Sequence, residues 1–596
     1  MAAGAHGFEP VYFGRGIDDG RALFGWYHPP RLDAPHGEAV LICPPLGYEG
    51  ICAHPSLRRL AERLADVGHP VLRFDYEGTG DAGGHDADPD RLTAWIASIE
   101  DAATELAALS DRDAICLFGL RIGATLAATA AAQLSQVQRL ALWASCTRGR
   151  TYLREMKAFR ALAEQTGEMT FKPHDDGSVE SGGFLISAET IRALSTLDLG
   201  KLDGRIADAV LVLHRDDARE DTTLVDALRA TGSEVTVATP EGYAAMMTSP
   251  EASILPEALV NALLDWLGEH PPRSKGGDQP QRALRAHGLV APKVREQALR
   301  FGDHDELVGI LTRPVATYDD ARPLLIFTNT AGNYRIGPSR LYVDLARRWA
   351  EQGWSSLRID VSGVGDSIIH DQEADNHPYA DRLFADAQAA MRTLERNDVA
   401  DRFILAGLCS GAFVAYHTAR RDPAVAGIIL INPQTFAWHD GMSLHVNPLK
   451  AREKAKYYQS RILDPAVWKK ALRGGIDLGH VATFAKARAA DGLRSALAKA
   501  KAKLPARLST PSDVDRTFTE LTDRGTDVLI VFSSNDPGID NLNATVGAGL
   551  DRLSRRPNFS IAVIDGPDHS FTPLWAQHEL AAVLTDHLTR LQRSLS

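Results

Sequence analysis

One stretch of this chain pairs a nucleophilic side chain with the backbone needed to present it: Phe403-Ile404-Leu405-Ala406-Gly407-Leu408-Cys409-Ser410-Gly411-Ala412. A short apolar run ends in Gly-x-Cys-x-Gly and passes into a helix-compatible segment, which reads as a strand, a sharp turn and a helix with cysteine at the exposed apex. The apex of such a turn is strained, and small flanking residues are needed where the two arms approach; Gly407 and Gly411 supply them. Cys409 is therefore the candidate nucleophile. A lone cysteine after an apolar strand is more often a small buried hydrophobe. The paired glycines and the downstream partners named below favour catalysis here.

The bulk numbers set the frame for that chemistry. At 596 residues the chain is too long for one core and should form two or more domains. A hydrophobic fraction of 44% and a charged fraction of 24% suit a globular protein, and a net charge of −12 argues against general nucleic-acid binding. Five cysteines without CxxC pairing argue against a disulfide framework or a zinc site and fit a reducing cytoplasm. The N-terminus has neither a basic region nor an apolar core, and no apolar run reaches membrane-spanning length, so a soluble cytoplasmic protein is expected.

Short apolar strands alternate with amphipathic helices, the pattern of a mostly parallel α/β sheet. Residues 11–28 read as a strand hairpin turning at Asp18-Asp19-Gly20, followed by strands at 39–43, 70–75 and 114–118 and helices at 56–67 and 92–109. The series then recurs. Leu72-Arg73-Phe74-Asp75 with Gly78-x-Gly80-Asp81 returns as Leu357-Arg358-Ile359-Asp360 with Gly363-x-Gly365-Asp366, and Gly119-Leu120-Arg121-Ile122-Gly123 returns as Gly407-Leu408-Cys409-Ser410-Gly411. A polar Pro/Gly stretch separates the copies. The expected organisation is a first domain over 1–269, a linker over 270–288 and a second domain over 289–596.

Both halves resemble the α/β-hydrolase superfamily, and in particular the pair of serine-aminopeptidase-type hydrolases associated with bacterial exosortase gene clusters. The Gly-Leu-Arg-x-Gly turn at 119–123 resembles one member of that pair; Gly337-Pro338-x-Arg340-Leu341-Tyr342-Val343 and Gly363-x-Gly365-Asp366-Ser367 resemble the other. The resemblance implies two tandem domains, each a mostly parallel sheet with helices on both faces and a helical cap insert. It also implies that an acid and then a histidine follow the nucleophile at strand ends. Asp536, after the strand 527–532, is the expected acid, with Asp540 in reserve, although an Asp before Pro537-Gly538 could be a turn residue alone. His569 is the expected base, since Ser570-Phe571-Thr572-Pro573 matches the superfamily's histidine loop; Asp568 is expected only to fix that loop. The oxyanion donors implied are the backbone N–H of Ser410 and one from the loop 328–333, with Ala331 or Thr330 as candidates and Asn329 and Asn333 as turn formers.

The first copy lacks these parts. Arg121 stands at the nucleophile position and cannot attack, and Ala245 stands where the histidine would be, so this half is expected to be catalytically dead. Arg121 could hold a phosphate or carboxylate, or pair internally with Asp216 or Asp217. In the second copy a cap insert is expected at about 437–515, and its stretch 447–507 is rich in Lys and Arg. A basic cap on an acidic protein suits an anionic partner such as coenzyme A or an acyl carrier protein, though such a run is commonly only a solvated face. Trp438, Tyr457, Tyr458 and Trp468 could line an acyl channel or simply pack.

The function that follows is acyl transfer through an acyl-cysteine intermediate, with no cofactor or metal: Cys409 accepts an acyl group from a thioester, His569 moves protons and Asp536 orients the imidazole. A thioesterase or carboxylesterase using water is the alternative, as is a non-catalytic scaffold of hydrolase ancestry.

Overall fold

The computed structural model describes residues 7–31, 38–112, 114–165, 169–218, 221–269, 285–316, 322–369, 377, 379–438 and 512–595. The cap expected at about 437–515, with Tyr457, Tyr458 and Trp468, lies almost entirely outside these residues.

Two nine-stranded sheets carry the chain. The first contains β1 (Glu9–Phe13), β2 (Leu23–His28), β3 (Ala39–Cys43), β4 (Val71–Asp75), β5 (Ile115–Leu120) and β6 (Val137–Trp143). A separate ribbon follows, β7 (Val179–Ser181) with β8 (Phe184–Ile186), before β9 (Ala209–Leu213), β10 (Glu234–Ala238) and β11 (Arg285–Ala286) complete that sheet. The second sheet comprises β12 (Leu289–Val290), β13 (Val294–Phe301), β14 (Leu307–Pro314), β15 (Leu324–Thr328) and β16 (Ser356–Asp360). It continues through β17 (Phe403–Leu408), β18 (Val425–Ile431), β19 (Asp527–Ser533) and β20 (Phe559–Ile564). The orders are β11-β1-β2-β4-β3-β5-β6-β9-β10 and β12-β13-β14-β16-β15-β17-β18-β19-β20, so the sequence repeat is a repeat of topology. In each sheet the strands from the β3 or β15 position onward pair in parallel, and the leading hairpin pairs antiparallel.

The central parallel strands are mostly apolar because helices cover both faces, while β4 and β16 carry an Arg and an Asp each and the edge strands β10 and β20 are partly exposed. β5 and β17, each buried along its whole length, are the central strands that end at the two turns of interest. Two differences from the sequence reading concern boundaries. Arg285 and Ala286, expected in the linker, form a short strand on the outer edge of the first sheet beside β1. The helix expected from Ser56 instead runs over Gly47–Asp66 and passes through Pro55. Burial of Ile51, Cys52, Ala53 and Pro55 offsets the backbone hydrogen bond that proline cannot make. Among the described residues no helix is long and apolar enough to cross a membrane.

Candidate active site

β17 delivers Cys409 to the turn and the helix Ser410–Arg421 leads away from it. Cys409 holds φ 58° and ψ −112°, a conformation unfavourable for a residue with a Cβ, and its N–H is tied to Ile431 O at 2.9 Å. The flanking glycines are required by contact. A Cβ on Gly407 would lie 2.3 Å from the Gly411 carbonyl carbon, and one on Gly411 would lie 2.7 Å from Thr328 O. Cys409 is half-buried, whereas Cys43, Cys52, Cys116 and Cys146 are buried, which separates the reactive candidate from the structural thiols.

The acid and the base come from the ends of β19 and β20. Asp536 caps the helix Pro537–Val546, its Oδ1 accepting from Gly538 N at 2.8 Å, while its Oδ2 lies 2.5 Å from His569 Nδ1. This assigns the Nδ1 proton to the carboxylate side. Nε2, buried and without another hydrogen-bond partner among the described residues, remains for Cys409. Burial lowers the affinity of His569 for its proton, but the Cys409 sulfur and the Asp536 carboxylate outweigh it and raise the imidazole to about 10. Asp540, the reserve acid, lies one turn farther along the helix. Asp568 accepts from Thr572 N, Thr572 Oγ1 and Ser570 N, the loop-fixing work expected of it.

Of the candidate oxyanion donors, Ser410 begins its helix, so its N–H lies among those that a helix leaves without an internal partner. The Ala331 N–H donates to Ser410 Oγ at 2.8 Å, so in this state that donor is already engaged. Thr330 Oγ1 meets the Tyr342 hydroxyl at 3.0 Å, and that hydroxyl also accepts from Leu408 N at 3.0 Å. Tyr342, whose segment served above only as a mark of resemblance, thus links the oxyanion loop to the last residue before Cys409. Asn329 is more than a turn former: its Nδ2 donates to Asn333 O and to Asp360 Oδ1, and its Oδ1 accepts from Val361 N.

Several residues near the nucleophile were not anticipated. The Tyr379 hydroxyl lies 3.8 Å from Cys409 Sγ, and its ring stacks on Trp438 at 4.3 Å between centroids. Asn432, at φ 43° just after β18, donates to His569 O at 2.7 Å, and Gln434 Nε2 lies 3.4 Å from His569 Nδ1. An asparagine in a left-handed position at a strand exit is a readable signal; the tyrosine contact, made across the fold, has none. Among the described residues no cluster of three His, Cys, Asp or Glu could hold a metal ion.

The first domain repeats the turn with arginine in place of cysteine. Arg121 holds φ 57° and ψ −126° and ties its N–H to Trp143 O at 2.9 Å, matching Cys409 in both respects. Its expected internal partners require correction. Arg121 Nε donates to Glu49 Oε1 at 2.9 Å and Nη2 donates to Glu155, not to Asp216 or Asp217. Asp217 is held by Arg215 through two bonds, and Asp216 accepts from Gly242 N. Arg121 sits on the turn between β5 and its helix, where the segments carrying Glu49 and Glu155 meet it.

Two repeated sheets of this order, each with a strand-turn-helix at the end of its central strand, define an α/β-hydrolase enzyme. The serine aminopeptidase, S33 hydrolases match residues 49–180 and 335–502, together about half of the chain, and the chain belongs to this family. The second match takes in Cys409 and stops short of Asp536 and His569. No curated protein matches the chain. Solved structures similar to it include Est1E from Butyrivibrio proteoclasticus, described with ferulic acid bound, at 17% identity and TM-score 0.32, covering 44% of this chain and 98% of that one. Alpha/beta hydrolase domain-containing protein 10 from mouse is 17% identical at TM-score 0.30, covering 44% and 99%. The α/β hydrolase GrgF from Penicillium sp. sh18 is 18% identical at TM-score 0.32, covering 44% and 98%.

Proposed function

We propose that the second half is an acyl-transfer enzyme that carries its acyl group on Cys409, with His569 as proton carrier and Asp536 as the group that orients it. The observation that supports this best is the His569 Nδ1 to Asp536 Oδ2 contact at 2.5 Å, because it fixes the tautomer that turns Nε2 toward the thiol. In the reaction, sulfur attacks the acyl carbon of a thioester and the thiol proton rests on His569. The tetrahedral oxyanion is met by the Ser410 N–H and by Thr330 or Ala331, the latter after the Ser410 hydroxyl turns away. Collapse expels the donor thiolate, which takes that proton. Acyl exchange between two sulfurs is close to isoenergetic, so the acyl-cysteine stays activated. His569 then removes the proton of an alcohol or amine acceptor, which attacks the acyl carbon and releases Cys409.

Coenzyme A or an acyl carrier protein is the donor we infer, on the basic stretch 447–507 alone. A second reading, thioester or carboxylester hydrolysis with water as acceptor, is favoured by membership of a hydrolase family. Intact-protein mass spectrometry after mixing with a panel of acyl thioesters tests both. We expect an acyl adduct that disappears in Cys409→Ala, and product analysis then separates transferred acyl group from free acid. No adduct and no turnover with any thioester or ester would leave the scaffold reading standing.

A further inference from the structure

A cavity of about 670 Å³ opens over the first domain's turn and reaches the second domain. Arg121 lies at its floor, and Tyr334, Arg335 and Ile336 of the second domain form part of its wall. We infer that this cavity is an effector site for a small amphipathic amine, an organic cation with an apolar body, that acts on the loops around Cys409.

The charge of the site decides the ligand's sign. Arg121 is matched by Glu49 and Glu155, and Arg215 by Asp217, so two guanidiniums face three carboxylates at that end. At the other end Arg73 is taken by Asp366, and Arg335 by Asp81, Asp360 and Asp366. Each of these guanidiniums is thus already ion-paired to at least one carboxylate, and the one buried guanidinium N–H of the lining left without a hydrogen-bond partner among the described residues, Arg335 Nε, lies among three aspartates. Glu49 Oε2, by contrast, is a buried acceptor with no hydrogen-bond partner among the described residues, which favours a donor, and a charged one most. Tyr48 and Tyr152 line the same space and their rings attract a cation, while Tyr243 and Trp26, also in the lining, already carry Arg215 and Arg335 over their rings. A net charge of −12 draws cations to the protein from a distance. The pocket's predominantly aromatic and aliphatic walls supply the seat for the apolar body.

The walls also explain how occupancy would be felt. Tyr334–Ile336 continue directly from the loop 328–333, and the Arg335 N–H and Asn329 Nδ2 share Asp360 Oδ1 as acceptor. Tyr334 stacks on His54 of the first domain at 3.9 Å between centroids and 8° between planes. On the opposite wall, Phe184–Ile186 belong to the β7–β8 ribbon, which grips the segment after His569. Glu180 Oε1 accepts from Leu574 N at 2.7 Å, and Gly183 O accepts from Gln577 Nε2 at 3.2 Å. Gly182 O also accepts from Ser339 Oγ at 3.0 Å. One ligand therefore touches the supports of both the oxyanion loop and the histidine loop. An amine that stiffens both supports lowers the ordering cost of the active state.

The test titrates phenylbutylamine, phenylbutanol and phenylbutyrate, which share a body and differ in head charge, into the full chain by calorimetry. Hydrogen exchange of residues 328–336 and 569–577 is followed in parallel, so neither readout depends on the reaction assigned to Cys409. The amine is expected to bind at least tenfold more tightly than the alcohol, with the carboxylate not binding. Glu49→Gln should weaken the amine about tenfold or more, the loss of one charge-assisted hydrogen bond. Met156→Trp, which fills the cavity from a half-buried position, should abolish binding. Exchange in both segments should slow severalfold with the amine. The carboxylate binding as well as the amine, no binding of the amine, or binding unchanged in both variants would each overturn the site. Binding without any change in exchange would overturn its role as an effector.

Discussion

At the scale of single residues the proposed function rests on how Asp536 and His569 act on Cys409. His569 gains its proton affinity from the sulfur and the carboxylate against the opposing effect of burial, giving about 10 in the folded chain against an ordinary 6.5. A group raised in this way contributes stability that is complete below about 6.5 and is lost as pH rises through about 10. Formation of the acyl-enzyme should accordingly fall on an alkaline limb near pH 10, where the imidazolium is lost. Asp536→Asn removes one of the two raising groups, so the limb should move to lower pH while the rate drops roughly 10³–10⁴-fold through loss of the tautomer. A pH-rate profile of single-turnover acylation is the measurement; an unmoved limb would mean that Asp536 does not set the proton affinity of His569. These three residues were legible because each stands at a strand end followed by a recognisable loop. Tyr379 was not. Its hydroxyl reaches Cys409 from a segment without hydrophobic periodicity, so its place is decided by tertiary packing alone.

At the scale of elements, the two turns show one backbone geometry carrying two different apex residues, Arg121 and Cys409. Gly119 and Gly123 meet the same constraint as Gly407 and Gly411, since a Cβ on Gly123 would lie 2.3 Å from Pro44 O. The glycines are thus kept by packing of the helix against the neighbouring strand, whether or not the apex residue reacts. Gly411→Ala should destabilise the second domain by about 1–3 kcal/mol, the usual cost of overpacking a closed contact. Cys409→Ser, which leaves the backbone contacts alone, should shift the urea midpoint little and serves as the control. Equal midpoints for Gly411→Ala and Cys409→Ser would show that the turn relaxes freely. The strands and their repeat could be read from the sequence because apolar runs and turn glycines are local signals. The early start of the helix Gly47–Asp66 could not: Pro55 argues for a boundary locally, and only burial of the preceding turns overrides it.

At the scale of the molecule, the halves are joined by an exchange of equivalent charges. Arg73 of β4 donates to Asp366 at 2.8 Å, and Arg358, its counterpart on β16, donates to Asp81, the counterpart of Asp366. Each half's Arg-x-Asp strand thus reaches the other half's glycine-turn aspartate, as in an isologous contact between two copies. Arg335, 1% exposed, lies between them within 2.8 Å of Asp81, Asp360 and Asp366. In the sequence Asp81 and Asp366 show only as members of the repeated glycine motif, because nothing local reveals that their partners lie nearly 300 positions away. Removing one member of such a cluster strands buried charge, so Arg335→Met should cost about 3–5 kcal/mol. Burial alone would raise Asp366, but Arg73, His54 and Arg335 hold it well below 3.8, so its contribution is present at neutral pH and fades on acidification. The melting difference between wild type and Arg335→Met should therefore be largest near neutrality and shrink as pH falls toward the carboxylate range. Calorimetry at a series of pH values checks this, and the variant should also resolve two transitions where the wild type gives one, because each half retains its own core and loses the charges that couple it to the other. A difference independent of pH would assign the loss to the contacts of the Arg335 guanidinium with the rings of Phe24, Trp26 and Tyr334, and not to the charge exchange.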